Sequence, residues 1–406
     1  MIARGARAFG YGLLGVLLAI ALSRNGVSPA AIGVLITISL VGDFCGTYLI
    51  GLFADRWGRQ RTLVVLALLM AVTGATFGLT QIYPLLLIAA FFGTLGTSAS
   101  ETAPFLPIEQ AILPQVSDPQ MRTGLFARYN LVASLAGAAG ALAAGIPDLL
   151  SHAGLPLGTG IRFMFGLYAA LALAVAFLAF QLSPKVEAPR PSDVPTGDRL
   201  ALIRRLMPAL GRSRGMILRL SALFSVDALA GGLVVQSLMV LYFHLRFGVP
   251  LAPLGVLFFA ANTLSALSFL AAAPLAGRFG LLNTMVFTHL PSNVLLVLVA
   301  VMPTFPLAAL VLLLRQALSQ MDVPTRQTYT MALVAPEERT AAASVTSLAR
   351  SAGSSTSPVL SGLLLQGPVL ALGLPFVLAG TVKAAYDLSL WGIFRRVKLP
   401  VDPGVR

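Results

Sequence analysis

Long apolar runs alternate with short polar breaks from one end of the chain to the other. A helix that crosses a bilayer needs about 20 consecutive, mainly apolar residues. On that measure the pattern predicts twelve spans, near 8–23, 30–53, 62–80, 84–106, 124–147, 161–182, 216–243, 253–274, 284–302, 306–323, 340–365 and 369–394. The number is even, so both ends of the chain fall on one side. The expected fold class is an all-α membrane protein of about twelve transmembrane helices.

One break is longer than the rest, from Ser183 to about Gly215. There Pro184, Pro189, Pro191 and Pro195 stand among Lys185, Arg190, Arg199, Arg204, Arg205, Arg212 and Arg214. Proline and charge at that density predict an extended, solvated linker, followed by a surface helix from Asp198 to Leu210. The expected organisation is an N-terminal six-helix half (1–182), a cytoplasmic linker (183–215) and a C-terminal six-helix half (216–406).

The two halves repeat each other. Val27-Ser-Pro-Ala-Ala-Ile-Gly-Val-Leu35 recurs as Val249-Pro-Leu-Ala-Pro-Leu-Gly-Val-Leu257, and Arg56-Trp57-Gly58 recurs at the same offset as Arg278-Phe279-Gly280. Further on, Pro107-Ile-Glu109-Gln110 faces Pro324-Thr-Arg326-Gln327, and Pro119 with Arg122-Thr123 faces Pro336 with Arg339-Thr340. Matches in the same order over half the chain imply duplication. Six spans per unit make the halves parallel, related by an axis along the membrane normal. Duplicated halves are a transporter architecture, with the substrate site near the midplane between them.

Composition sharpens this picture. The chain is 57% hydrophobic and 11% charged, against about 45–50% and about 25% in soluble domains. Too few polar groups remain to cover a soluble surface, which excludes a soluble enzyme. The net charge of +13 raises nucleic-acid binding, but the positions of the charges answer it. Only Arg24, Arg162 and Arg246 fall in segments placed outside; Arg315, Arg350 and Lys383 sit within apolar stretches, and the rest gather at the termini and alternate loops. That is the positive-inside pattern, so the basic balance encodes topology and no nucleic-acid partner is expected. Arg4 and Arg7 before the first span, and Arg395, Arg396 and Lys398 after the last, put both termini in the cytoplasm. The single cysteine, Cys45, permits no internal disulfide. No His or Cys spacing suggests a metal site, no cofactor is implied, and no Gly-Lys dipeptide offers the phosphate loop of an ATP-driven pump.

The loop after the second span reads Gly51-Leu-Phe-Ala-Asp55-Arg56-Trp-Gly58-Arg59-Gln60-Arg61. It resembles the signature loop of the major facilitator superfamily: a glycine, three residues, Asp, a base, one residue, Gly, Arg and further bases. Gln60 departs from the usual base, and Gly277-Arg278-Phe279-Gly280 is a degenerate second copy. The resemblance implies two six-helix halves that rock about a central cavity, in a transporter that is not an enzyme. The basic residue usual in the middle of the fourth span is missing from Ile88–Gly96. The antiporter-type Gly-Pro pattern of the fifth span is echoed only by Gly137, Gly140, Gly145 and Pro147. The loop also carries its own physics. Gly51 suits close helix approach and Gly58 a tight turn, while Asp55 among Arg56, Arg59 and Arg61 makes an ion-pair cluster at a membrane boundary. These are the candidate gating residues, with Glu109 and Arg326, repeat counterparts of opposite sign whose pairing would close the cytoplasmic side.

Ionisable groups within spans mark pathways or proton relays. Asp43, Asp227, Arg315, Asp322 and Arg350 are such groups, and Glu101 sits late in the fourth span. Arg315 and Asp322, seven residues apart on one helix, face the same way. Together these six are the candidate substrate and proton-coupling residues. Lys383 and Asp387, four apart, are expected to neutralise each other. His289, beside Pro291, is assigned no role.

The expected function is secondary active transport of a small organic solute by alternating access, in a cytoplasmic (inner) membrane and as a monomer. Proton coupling is expected, since isolated acids in a span serve as proton carriers. The expected direction is export, through overall similarity to drug and metabolite efflux members. Uptake of a sugar or organic acid, by symport or facilitation, is the alternative. A membrane sensor or scaffold without transport is the alternative of another class.

Overall fold

In lipid every backbone polar group must be satisfied within the protein, and long apolar runs meet most of that demand as helices. The computed structural model of the chain describes residues 1–96, 104–115, 122–183, 186–187, 213–335 and 338–397. In chain order its helices are α1 (Ile2–Arg24), α2 (Pro29–Trp57), α3 (Arg59–Leu79), α4 (Tyr83–Phe92), α5 (Phe105–Gln115), α6 (Arg122–Ala143), α7 (Ile146–His152), α8 (Leu157–Phe180), α9 (Arg214–Leu233), α10 (Gln236–Phe247), α11 (Leu251–Phe279), α12 (Leu281–Val301), α13 (Phe305–Leu318), α14 (Asp322–Ala332), α15 (Arg339–Thr356), α16 (Pro358–Leu364) and α17 (Leu374–Phe394). Among the described residues, eight stretches are long and apolar enough to cross a membrane. The other four crossings are α4 with α5, α13 with α14, α15 with α16, and α17. The twelve crossings form two pseudo-symmetric halves of six.

The packing repeats as the sequence does. In the first half α1 lies on α6 and α3 on α8; in the second, α9 lies on α15 and α12 on α17. The counterpart turns also match: Gly58 and Gly280 hold φ of 104° and 81°, a region that favours glycine.

The structure departs from the expected spans at their interruptions. The runs expected at 84–106 and 306–323 each divide into two helices, and the second member extends to Gln115 and to Ala332. The fourth crossing leaves helical geometry at Gly93, and the buried Thr94 that follows is held by side chains from elsewhere. The Tyr168 hydroxyl donates to the Thr94 carbonyl, and the Tyr11 hydroxyl to Thr94 Oγ1 at 3.0 Å. The fifth, seventh and eleventh crossings are likewise broken, at Ala144–Gly145, Val234–Val235 and Ser357. The expected surface helix at 198–210 lies outside the described residues.

The halves meet at the ends of the helices remote from the chain termini, and two of the links there are helix caps. The first amides of a helix have no intrahelical acceptor. In the first half, Ser28 Oγ accepts from Ala31 N at 3.3 Å and caps α2 locally. Its repeat counterpart is Pro250, which has no such oxygen. Asp148 of α7 supplies the cap from across the interface, its Oδ2 accepting from Ala252 N at 2.7 Å. Thr37 Oγ1 in the same way takes Val359 N at 3.0 Å, at the start of α16. The Ser237 hydroxyl donates to the Gly15 carbonyl at 3.1 Å. Glycines bring the backbones together, since a Cβ on Gly33 would stand 2.6 Å from the Pro358 carbonyl oxygen.

Candidate functional site

The second half carries a buried charge cluster built from four crossings. α9 contributes Asp227, 2% exposed. Small residues let α15 approach it closely, because a Cβ on Gly353 would meet the backbone of Ser225. Arg350 of α15 thereby reaches Asp227 Oδ2, with its Nη1 at 2.9 Å. From α17, Lys383 Nζ donates to Asp227 Oδ1 at 2.6 Å. From α14, Arg326 Nη1 donates to Asp322 Oδ2 at 2.6 Å, stands 3.9 Å from Asp227 Oδ2 and lies over the Phe224 ring. One carboxylate therefore holds cations from separate helices. In a low-dielectric interior such pairs are strong once formed, and removing one partner leaves the others exposed to the full desolvation cost. Asp227 thereby ties α15 and α17 to α9.

Beside this cluster, Asp387 faces α12. His289 Nδ1 lies 2.9 Å from Asp387 Oδ1, and Asn293 Nδ2 donates to Asp387 Oδ2 at 2.8 Å. All three residues are buried. The first half has a smaller counterpart. Arg7, 1% exposed, pairs with Glu109 Oε2 at 2.5 Å and covers the Phe105 ring, while the Tyr129 hydroxyl donates to the same carboxylate. Asp43 is buried and makes no hydrogen bond or ion pair among the described residues. No group of three or more His, Cys, Asp or Glu that could hold a metal ion occurs among the described residues.

The loop between α2 and α3 is a junction. Arg59 Nε donates to Asp55 Oδ1 at 2.8 Å. Gly58 has no side chain with which to cap α3, and Glu187 does so instead, accepting from Arg59 N at 2.7 Å and Gln60 N at 3.1 Å. The Gln60 amide donates to the Phe180 and Leu182 carbonyls at 2.7 and 3.1 Å. An amide at this position therefore ties the start of α3 to the end of α8. Arg61 is exposed. Glu101 lies outside the described residues, as does the Arg56 side chain.

Residues 1–358 match the family profile of the Major Facilitator Superfamily. The chain belongs to that superfamily. Over 413 aligned residues it is 28% identical to an uncharacterized membrane protein of Saccharomyces cerevisiae, covering 96% of this chain and 91% of that protein. Over 105 residues it is 28% identical to the arabinose-proton symporter of Bacillus subtilis, covering 26% of this chain and 22% of that one. Its fold is similar to the crystal structure of a D-xylose-proton symporter, with a TM-score of 0.74 and 14% identity, covering 100% of this chain and 98% of that one. As a member of the Major Facilitator Superfamily it is a multi-pass membrane transporter.

Within this superfamily fold, several expected pairings take other partners. Lys383 does not neutralise Asp387; it bonds Asp227, and Asp387 goes to His289 and Asn293. The reason is tertiary, because α9 and α12 bring closer partners than the next helical turn. Glu109 pairs with Arg7, and Arg326 with Asp322, so the two repeat counterparts do not meet in this conformation. Arg315 and Asp322 do not share a helix, since α13 ends at Leu318 and α14 begins at Asp322. Gly51 makes no close approach: a Cβ built there has open space. Its end of α2 is remote from the interface formed at Gly33 and Thr37. Arg7, His289 and Asn293 are site residues that the sequence pattern did not single out. The spacing His289-x-x-x-Asn293 within an apolar run, two polar side chains on one helical face, was the available signal.

Proposed function

We propose that the chain is a proton-coupled secondary transporter that exports a small organic solute from the cytoplasm as a monomer. Both termini lie in the cytoplasm of a cytoplasmic (inner) membrane, and the halves 1–182 and 216–406 rock about the linker 183–215. The observation that carries this reading is Asp227, a buried carboxylate held by cations from other helices of its half. A proton on Asp227 or Asp322 weakens those pairs and frees α15, α17 or α14 to reposition. Protonation and rocking are thereby linked, as coupling requires. Arg315, Arg350, Asp43 and Glu101 complete the substrate and coupling set. Gly51, Asp55, Arg56, Gly58, Arg59 and Arg61 form the gate on the cytoplasmic side, where Glu109 and Arg326 approach each other on closure.

A second reading, uptake by symport, draws on the local sequence match to the arabinose-proton symporter. Proteoliposomes with an imposed pH gradient separate the two. Export by exchange drives solute against the proton flow, whereas symport drives it with that flow. Asp→Asn mimics the protonated acid, so Asp227→Asn and Asp322→Asn are expected to retain solute exchange and lose gradient-driven accumulation. If neither variant alters the dependence on the gradient, this coupling site is wrong. A chain that moves no solute under any gradient fits the sensor or scaffold instead.

A further inference from the structure

The charges of this cluster do not balance: four cations, of which Arg326 and Lys383 are buried and Arg315 and Arg350 half-buried, stand with three acids. Asp227 and Asp322 face Lys383, Arg350, Arg326 and Arg315, while Asp387 is engaged by His289 and Asn293. Three of the four cations have a carboxylate within 4.0 Å; Arg315 has none among the described residues. Its Nη1 donates to Gln316 Oε1 at 2.8 Å, an oxygen that also accepts from Ser319 Oγ at 2.8 Å. Its Nε is buried without an acceptor. Gln316 is neutral, so no acid of this chain offsets the charge at contact distance.

The position of Arg315 on α13 sets it on the protein side of that helix. Leu307, Leu310 and Leu314 are exposed on one face, the face that meets lipid. Ala308, Leu312 and Gln316 are buried on the opposite face, and the helical period of 3.6 puts Arg315 beside them. Arg350 is also half-buried, with 31% of its side chain exposed.

A half-buried guanidinium with no acid at contact distance is a place for an anion. Its planar fork of N–H donors fits the two oxygens of a carboxylate. We infer that the solute carries a carboxylate, which docks on the Arg315 guanidinium. This rests on the reading of the chain as a transporter and names the class of its substrate as small organic acids. The carboxylate supplies the negative charge that no acid of the chain brings to Arg315 at contact distance.

The test uses the purified full-length protein, with butyrate, hexanoate and benzoate each set against its neutral amide at fixed ionic strength. At least one carboxylate is expected to raise the thermal unfolding midpoint by several degrees while its amide does not. The same carboxylate is expected to slow modification of Arg315 by phenylglyoxal at least threefold, read by peptide mass spectrometry on the wild-type chain. Arg315→Gln removes the thermal shift and Arg315→Lys retains part of it, while Arg24→Gln, at the exposed far surface, retains all of it. Equal effects of amide and carboxylate, or an unchanged shift in a folded Arg315→Gln protein, overturn the inference. Gradient-driven transport of an uncharged solute, with no carboxylate effect on either readout, overturns it while the transport reading stands. Carboxylate binding without transport of any solute leaves the site and removes the transporter.

Discussion

Gly33→Ala tests whether the interface remote from the termini belongs to one conformation of a moving protein. The added Cβ would stand 2.6 Å from the Pro358 carbonyl oxygen, 3.0 Å from Gly362 Cα and 3.1 Å from Val359 Cα. All three atoms are backbone of the other half, so no side chain can swing aside. Ordinary van der Waals contact begins near 3.4 Å, and the halves must separate by about 0.8 Å at this point. Overpacking of this kind costs about 1–3 kcal/mol. Alanine favours helix over glycine, so α2 itself loses nothing. The cost falls on the closed interface alone, and a conformation in which the halves part there escapes it. The population ratio should therefore move by roughly 5- to 140-fold toward the parted form.

Spin labels at Leu155 and Leu372, exposed on the same end of the two halves, report that separation in a Cys45→Ser background. Gly33→Ala is expected to increase the long-distance population. Gly166→Ala, whose Cβ meets nothing within 4 Å, is the control. A distance distribution identical to wild type in a folded Gly33→Ala protein would refute the reasoning, because the clash would then have been absorbed without movement of the halves.

Three further outcomes are expected. Asp387→Asn leaves the Lys383–Asp227 pair intact but strips His289 of its carboxylate, so it should lower thermal stability more than His289→Asn/Asp387→Asn does; additive effects in that double-mutant cycle would dissolve the pair. Asp55→Asn removes a partner whose side chain is 64% exposed, an ion pair too solvated to hold the fold. The protein should insert and fold normally while the accessibility of labelled positions on its two faces changes, and unchanged accessibility together with an unchanged transport rate would make Asp55 a bystander. Tags at Arg406 and within Asp193–Asp198 should report cytoplasm and tags in Gly154–Thr159 the exterior, and a cytoplasmic Gly154 region would sink the orientation.

The sequence was most legible where lipid leaves the chain little choice. Apolar runs of spanning length must be helices, and the repeated Arg56-Trp57-Gly58 and Arg278-Phe279-Gly280 marked equivalent turns. The breaks were hidden because they depend on distant side chains. Nothing near Thr94 announces that Tyr11 and Tyr168 will catch it. Lys383 and Asp387 show the limit of local rules: spacing made them partners, and packing gave each a better one. Arg7 was counted as a topological charge, yet it is among the most deeply buried side chains of the first half. Which faces of the helices converge is a matter of rotation about their axes, and rotation is fixed by packing that a single sequence does not display.

The borrowed caps of α11 and α16 have a consequence for observation. Ala252 N–H and Val359 N–H are held by side chains of the opposite half, and parting the halves returns both amides to solvent. If the halves rock as proposed, their hydrogen exchange is expected to follow that equilibrium and not global unfolding. On that reading two main-chain protons are built-in clocks of the proposed cycle, readable by deuterium uptake without a label, a substrate or a change in sequence.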